Sequence, residues 1–248
     1  MPVTLQSLRT VLAHSPEGTA TAHDSVGGRK TDAFRHADPQ NRVGTKIANS
    51  KGVPGTFGCL AFTIHDGRTV LLTSAHVLFG NGALERDRIW LVDESKSVCH
   101  YVRVGTALYG KTGIVLLDGD EYYVDCAIGS VSAEALPAIV EHDVAKPDDQ
   151  VTKMGAATGT TTGVVVDVAF RASALANGRE KCAPRQLLIR SLDENAFSAE
   201  GDSGAVIVND RNRPVGLLWG ANCRGEGVAC HMSAVVHCLN IMLAGCRA

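Results

Sequence analysis

Glu200-Gly201-Asp202-Ser203-Gly204-Ala205-Val206-Ile207-Val208 is a serine set between two glycines immediately ahead of an apolar, β-branched run. The glycines permit a tight turn with unusual dihedrals, and the run after them reads as a buried strand. A hydroxyl is a poor nucleophile unless a base takes its proton and donors stabilise the oxyanion that forms. A turn of this kind can aim the N–H groups of Gly201 and Ser203 into one concavity, where each donor is worth about 3 kcal/mol in the transition state. A plain Gly-Asp turn leading into a strand is the competing explanation.

Working outward from this turn, short apolar and β-branched runs separated by Gly, Asp and Asn occupy the chain from Gly55 onward. They fall at 57–65, 69–73, 88–92, 98–108, 122–131, 151–154, 163–170, 185–190, 205–208, 215–219 and 227–231. About eleven strands with turn signals between them predict an antiparallel barrel or sandwich. Asp66-Gly67 between two such runs predicts a hairpin. The chain closes on a helix over 233–245, capped by Ser233, with Val235, Cys238, Leu239 and Met242 on one face and Gly245 as its left-handed stop. Ahead of Gly55 the text is polar and aperiodic. A short helix is predicted over 3–14 and a loop or arm over 15–54, whose His14, His23 and His36 have no metal spacing.

Two further stretches carry residues that could serve the serine. Val70-Leu71-Leu72-Thr73-Ser74-Ala75-His76 runs an apolar strand into small residues and then a histidine. Tyr122-Tyr123-Val124-Asp125-Cys126-Ala127-Ile128 places an acid inside a strand-like apolar run, costly to bury unless something hydrogen-bonds it. An imidazole N–H is a suitable partner, and the acid then fixes the tautomer that leaves the other ring nitrogen free to accept a proton. Asp118, Asp120 and Asp93 are the rival acids, in stretches that read as turn or loop.

The 248 residues carry a formal net charge of −2 with 20% charged and 45% hydrophobic residues, and no dense Lys/Arg run. A nucleic-acid partner is not expected. No apolar stretch approaches the roughly 20 residues of a membrane span, and the first residues lack the layout of a signal peptide. Eight cysteines, at 59, 99, 126, 182, 223, 230, 238 and 246, are irregularly spaced, several of them inside apolar runs. Free buried thiols are the expectation, with a Cys223–Cys230 pair an alternative under oxidising conditions. The Cys/His-bearing stretch from Cys223 to Cys238 matches no standard zinc spacing, and neither metal nor organic cofactor is expected.

Ser-Ala-His at 74–76, Asp-x-Ala-Ile at 125–128 and Gly-Asp-Ser-Gly at 201–204 resemble the chymotrypsin/trypsin-like serine proteases, in the family's order His, Asp, Ser. The resemblance implies an all-β fold of two antiparallel β-barrels packed around a cleft, with a C-terminal α-helix. The barrels would span roughly 55–140 and 141–232, with residues 1–54 outside the protease domain. It implies a serine endopeptidase with His76, Asp125 and Ser203 as catalytic residues and Gly201 and Ser203 as the oxyanion hole. Leu218, Trp219 and Gly220 resemble the strand that pairs with the substrate backbone. Phe197 would floor the specificity pocket between Gly220 and Gly227, favouring a medium apolar P1 residue. Glu226, if it points inward, would favour a basic one. Glu200 would border the cleft.

The chain departs from secreted members of the family at Val77 and Ala199, where they carry cysteines. No activation site is evident near Val53, so Asp202 needs another partner than a new amino terminus. These departures bring it closer to bacterial intracellular trypsin-like peptidases, with a cytoplasmic location expected. The expected partner is a protein or peptide substrate. A regulatory partner or cleavage of the chain's own arm belongs to a third reading, and a catalytically silent peptide-binding module is the alternative.

Overall fold

The computed structural model describes residues 42–93, 99–131, 138–176 and 179–245. The proposed helix over 3–14, most of the arm and Cys246 lie outside these residues. Among the described residues, fourteen strands form two bodies. The first is an eight-stranded sheet in the order β14 (Ile241–Ala244), β3 (Cys59–Thr63), β4 (Thr69–Thr73), β7 (Asp120–Ser130), β6 (His100–Leu117), β5 (Arg88–Asp93), β1 (Lys46–Ala48) and β2 (Pro54–Thr56), and the second a closed six-stranded barrel in the order β10 (Arg179–Ser191), β13 (Gly227–His231), β12 (Pro214–Ala221), β11 (Val206–Asn209), β8 (Gln150–Gly155) and β9 (Gly159–Ala176). The first body is a large sheet, open in its hydrogen bonding, and with the barrel and the C-terminal helix it gives the expected all-β architecture of two packed bodies.

In the sheet, β3 (Cys59–Thr63) and β4 (Thr69–Thr73) form a hairpin whose turn holds Gly67 at φ 64, the left-handed value that Asp-Gly signals. Helix α1 (Ala75–Phe79) follows β4 directly, and β5 (Arg88–Asp93) leads into the long hairpin of β6 (His100–Leu117) and β7 (Asp120–Ser130). The barrel is built from β8 (Gln150–Gly155), β9 (Gly159–Ala176), β10 (Arg179–Ser191), β11 (Val206–Asn209), β12 (Pro214–Ala221) and β13 (Gly227–His231). Each of the eleven predicted runs is a strand here, several of them longer than predicted.

Three strands went unpredicted. β1 (Lys46–Ala48) and β2 (Pro54–Thr56) lie in and at the end of the stretch read as a loop, and β1 pairs with both β2 and β5. The C-terminal helix α2 covers Met232–Leu239 and is preceded by His231 instead of Ser233. It ends at Asn240, which takes the left-handed conformation at φ 52. The last predicted helical turn is instead β14 (Ile241–Ala244), paired with β3, so Met242 lies on a strand and is exposed.

Each body has its own core. Ile47, Phe57, Leu60, Leu71, Leu78 and Ile89 fill the sheet side, and Val151, Val165, Leu187, Ile189, Ile207 and Leu218 the barrel. A third cluster, including Leu72, Val124, Cys126, Val206, Leu217 and Val235, packs sheet, barrel and α2 together. Joining the two bodies through this apolar layer fixes the relative positions of residues from distant parts of the chain.

Candidate active site

Ser74 begins the first side of the site. It lies at the N-terminus of α1, is fully buried, and donates its hydroxyl to the Leu218 carbonyl on β12 at 3.0 Å. The one-turn helix then presents His76. Asp125, in the middle of β7 and 4% exposed, accepts two hydrogen bonds from this residue. The His76 backbone N–H donates to Oδ1 at 3.0 Å, and ring Nδ1 meets Oδ2 at 2.9 Å. The His76 side chain is 39% exposed while that of Asp125 is 5% exposed. The ring therefore has one nitrogen fixed on a buried carboxylate and reaches solvent itself. Burial opposes the charged ring, but the Asp125 charge and hydrogen bond win and hold its pKa above the ordinary 6.5. The rival acids are placed elsewhere: Asp118 lies in the β6–β7 turn at φ 53, and Asp120 pairs with Arg185 at 2.6 Å.

The second side is the Gly201–Gly204 turn, with φ of 100 at Gly201 and 96 at Gly204. At Gly204 a side chain has no room, since an added Cβ would lie 2.0 Å from Thr73 Oγ1 and 2.6 Å from the Thr56 carbonyl. The Asp202 N–H bonds the Ala199 carbonyl and the Gly204 N–H the Leu218 carbonyl, whereas those of Gly201 and Ser203 make no such bond among the described residues. Strand β2 grips the turn from outside: the Thr56 N–H donates to the Ser203 carbonyl and Thr56 Oγ1 to the Gly201 carbonyl, both at 2.8 Å. Thr56 was missed from the sequence because Pro54-Gly55-Thr56 carries no apolar alternation. Ser203 is half-buried, and its hydroxyl donates to the Trp219 carbonyl at 3.3 Å instead of to His76.

Asp202 finds the partner that its sequence context demanded. Lys153 Nζ lies 3.0 Å from its Oδ2, and both side chains are wholly buried. Thr158 Oγ1 and the N–H groups of Ala157, Thr158 and Ala199 also donate to the carboxylate. Lys153 in turn contacts Thr158 Oγ1 and the Gly159 carbonyl. Burial pushes the Asp202 carboxyl up, but the Thr158 hydroxyl, the Lys153 charge and the backbone donors outweigh it and hold it below 3.8. Burial pulls the Lys153 ammonium down from 10.5, with Asp202 opposing. The missed signal was periodic. Lys153 shares the inward face of β8 with Val151, and a cation on such a face requires a buried anion.

The expected substrate-binding residues separate into two groups. Trp219 and Gly220 continue β12 beyond its pairing with β11, which ends at Leu217. Leu218 is fully buried, and the Trp219 indole N–H is fixed on Gln186 Oε1 at 2.7 Å. Phe197 is fully buried, unlike an open pocket floor. A Cβ on Gly163 or Gly227 would come within 2.8 and 2.6 Å of its ring. Glu226 is not unpaired: Arg190 Nε and Asn222 Nδ2 hold its two oxygens at 2.8 and 2.7 Å. Behind them a cavity of about 360 Å³, lined by Arg190, Glu194, Phe197, Arg224 and Glu226 among others, touches neither His76 nor Ser203. Glu200 is exposed beside the turn.

No disulfide joins the described cysteines. The Cys223–Cys230 alternative fails because Cys223 is exposed while Cys230 is fully buried, its Sγ accepting the Asp125 N–H at 3.2 Å. His231 bonds the Val168 carbonyl at 2.8 Å. Among the described residues no group of three or more His, Cys, Asp or Glu is arranged to hold a metal ion, and no helix is long and apolar enough to cross a membrane.

Solved structures share this fold. Nocardiopsis protease superposes with a TM-score of 0.54 at 14% identity, over 84% of this chain and 100% of that one. Thermobifida fusca Protease A gives 0.53 at 13%, over 82% and 97%, and Cellulomonas bogoriensis chymotrypsin 0.50 at 13%, over 82% and 97%. The fold is that of the chymotrypsin-like serine proteases. A family model described as the Nal1 C-terminal domain matches residues 125–234, from Asp125 through the serine turn into α2. No curated protein matches the sequence.

Proposed function

We propose that the chain is a serine endopeptidase that hydrolyses peptide bonds through an acyl-enzyme. The observation that carries this reading is the double hydrogen bond of His76 to buried Asp125, with the helix start and the serine turn tied to one point of β12, where the Leu218 carbonyl accepts from both Ser74 Oγ and the Gly204 N–H. With Nδ1 held by Asp125, Nε2 is the ring position left to take the Ser203 proton after the hydroxyl turns from the Trp219 carbonyl. Ser203 Oγ then attacks the substrate carbonyl, and the unspent N–H groups of Gly201 and Ser203 receive the oxyanion. His76 returns the proton to the leaving amine, and water repeats the sequence to release the acyl group. The free edge of β12 at Trp219 and Gly220 receives the substrate backbone as an added strand.

Because Arg190 and Asn222 satisfy Glu226, its charge does not select a basic P1 residue. Free thiols suit a reducing, cytoplasmic setting.

One observation favours a second reading, a silent peptide-binding module: Ser203 bonds Trp219 and not His76. A fluorophosphonate probe separates the two. The protease reading expects labelling at Ser203 that is abolished in Ser203→Ala. Folded wild type that takes up no probe would leave the binding module.

A further inference from the structure

Trp219 is an extra residue in β12 against β13, where the register passes from Leu218–Ala229 to Gly220–Val228. A bulge of this kind bends its strand and re-aims a side chain. Here the buried indole meets the Tyr123 ring of the sheet, with centroids 5.3 Å apart, while the Trp219 carbonyl accepts the Ser203 hydroxyl at 3.3 Å. One bulged residue therefore touches the sheet through its ring and the serine turn through its backbone.

Gln186 on β10 holds that indole. It is fully buried, and its Oε1 accepts the Trp219 Nε1–H at 2.7 Å. An indole can only donate, so the amide oxygen must face it and the NH₂ group points the other way. Nε2 donates to the carbonyls of Tyr123, Pro184 and Arg185, each at 2.9 Å. Tyr123 belongs to the other body, on β7 just ahead of Asp125. β4 pairs with β7 over Ala127–Ser130, and upstream of that pairing two barrel side chains take over. Gln186 binds the Tyr123 carbonyl, and Cys230, opposite Gln186 on β13, accepts the Asp125 N–H at 3.2 Å. β7 is also paired with β6, Asp125 standing opposite Thr112. The acid strand is thus fixed from several directions, whereas the one polar atom of the Trp219 side chain is spent on a single amide.

We propose that Gln186 is a positioning residue that ties the Trp219 bulge to the acid strand and so sets where β12 presents its free edge to a peptide. Its hydrogen bonds go to Trp219 and to backbone carbonyls, so it acts on the reaction through Trp219. The role rests on the reading of Trp219 and Gly220 as the substrate-pairing stretch of a serine endopeptidase. Without the amide the bulge is released, while the His76–Asp125 pair keeps its own bonds. Displacement on the order of 1 Å costs about a hundredfold in rate, and here it falls on substrates long enough to pair with β12.

The test compares full-length wild type, Gln186→Met, Trp219→Phe and the double variant. Each is assayed on two p-nitroanilides that share the best residue of a P1 scan, one with a single residue and one with four residues ahead of the scissile bond. Fluorophosphonate labelling of Ser203 is measured beside them. Gln186→Met should lower kcat/KM on the four-residue substrate about a hundredfold. Labelling and the single-residue substrate should change by less than about threefold. Trp219→Phe keeps a ring but loses the donor and should reproduce that pattern. The double variant should lose no more than either single change, because both break the same bond. An unchanged four-residue rate, equal losses on the two substrates, or losses that add in the double variant would overturn the proposal and leave Gln186 a support of the fold. If Gln186→Met does not fold, Trp219→Phe decides by the same comparison of substrate lengths. Folded wild type that takes up no label, or cleaves nothing in the scan, ends the protease reading and this role with it.

Discussion

The chain buries two aspartates at its site and treats them differently. Asp125 gives both oxygens to one histidine, whose ring reaches solvent. Asp202 is enclosed with a lysine, a threonine and three backbone N–H groups. The first arrangement leaves a partner able to gain and lose a proton; the second satisfies a charge completely and fixes the turn it stands on. On the proposed reading, a carboxylate that orients a base and one that braces a loop differ in what surrounds the partner more than in the acid itself.

The largest expected effect breaks the first arrangement. Asp125→Asn keeps the shape but offers the ring an amide, removing the fixed tautomer, and kcat/KM should fall about 10⁴-fold with thermal stability little changed. A fall of less than about tenfold in peptide-cleavage assays would mean that Asp125 does not orient the base.

Next comes the brace. Lys153→Met leaves Asp202 charged, buried and without its cation, and should cost about 3–5 kcal/mol in denaturant unfolding. Lys153→Met with Asp202→Asn should cost less than the single change, because no unpaired charge remains. Equal losses would show that the two charges are not coupled. At Gly204 the restriction is steric, since an added Cβ would meet Thr73 Oγ1 and the Thr56 carbonyl. Gly204→Ala should destabilise by about 1–3 kcal/mol from backbone strain alone, more with the clash.

The pH profiles sharpen the contrast. His76 has its pKa raised, so the stability of the charged pair is present in acid and lost as pH rises through the folded value. Catalysis needs the neutral ring and runs the other way: kcat/KM should rise with pH on a limb centred above 6.5. Asp202 has its pKa lowered, so its stabilisation is complete at neutral pH and is lost as pH falls through a folded value below 3.8. An acid limb centred below 6.5 would contradict the assignment of His76. The smallest effect concerns specificity: Glu226→Gln should change the P1 preference by less than about tenfold, because Arg190 and Asn222 already hold that carboxylate.

Much of this molecule was legible as sequence because strands announce themselves through apolar runs and turns through Asp-Gly and Gly-Asp-Ser-Gly. What stayed hidden was short or ambiguous. Lys46–Ala48 and Pro54–Thr56 are too brief for a period to show, yet Thr56 grips the serine turn. Ile241–Ala244 is apolar throughout and continues the helical pattern of α2, so only Asn240 marked the break. Lys153 was overlooked because lysine on a strand ordinarily faces water, and its inward register emerges only with Val151 as reference. Phe197 was placed at a pocket floor by the family resemblance; its burial follows from the absent side chains of Gly163 and Gly227, which let the ring sink between strands.

The most direct test is capture of the acyl-enzyme. Wild-type protein mixed with an activated ester and quenched in acid should gain one acyl mass on the peptide that contains Ser203, and His76→Ala should not. An acyl group on any other residue, or none on folded wild type while substrate is consumed, would contradict the account.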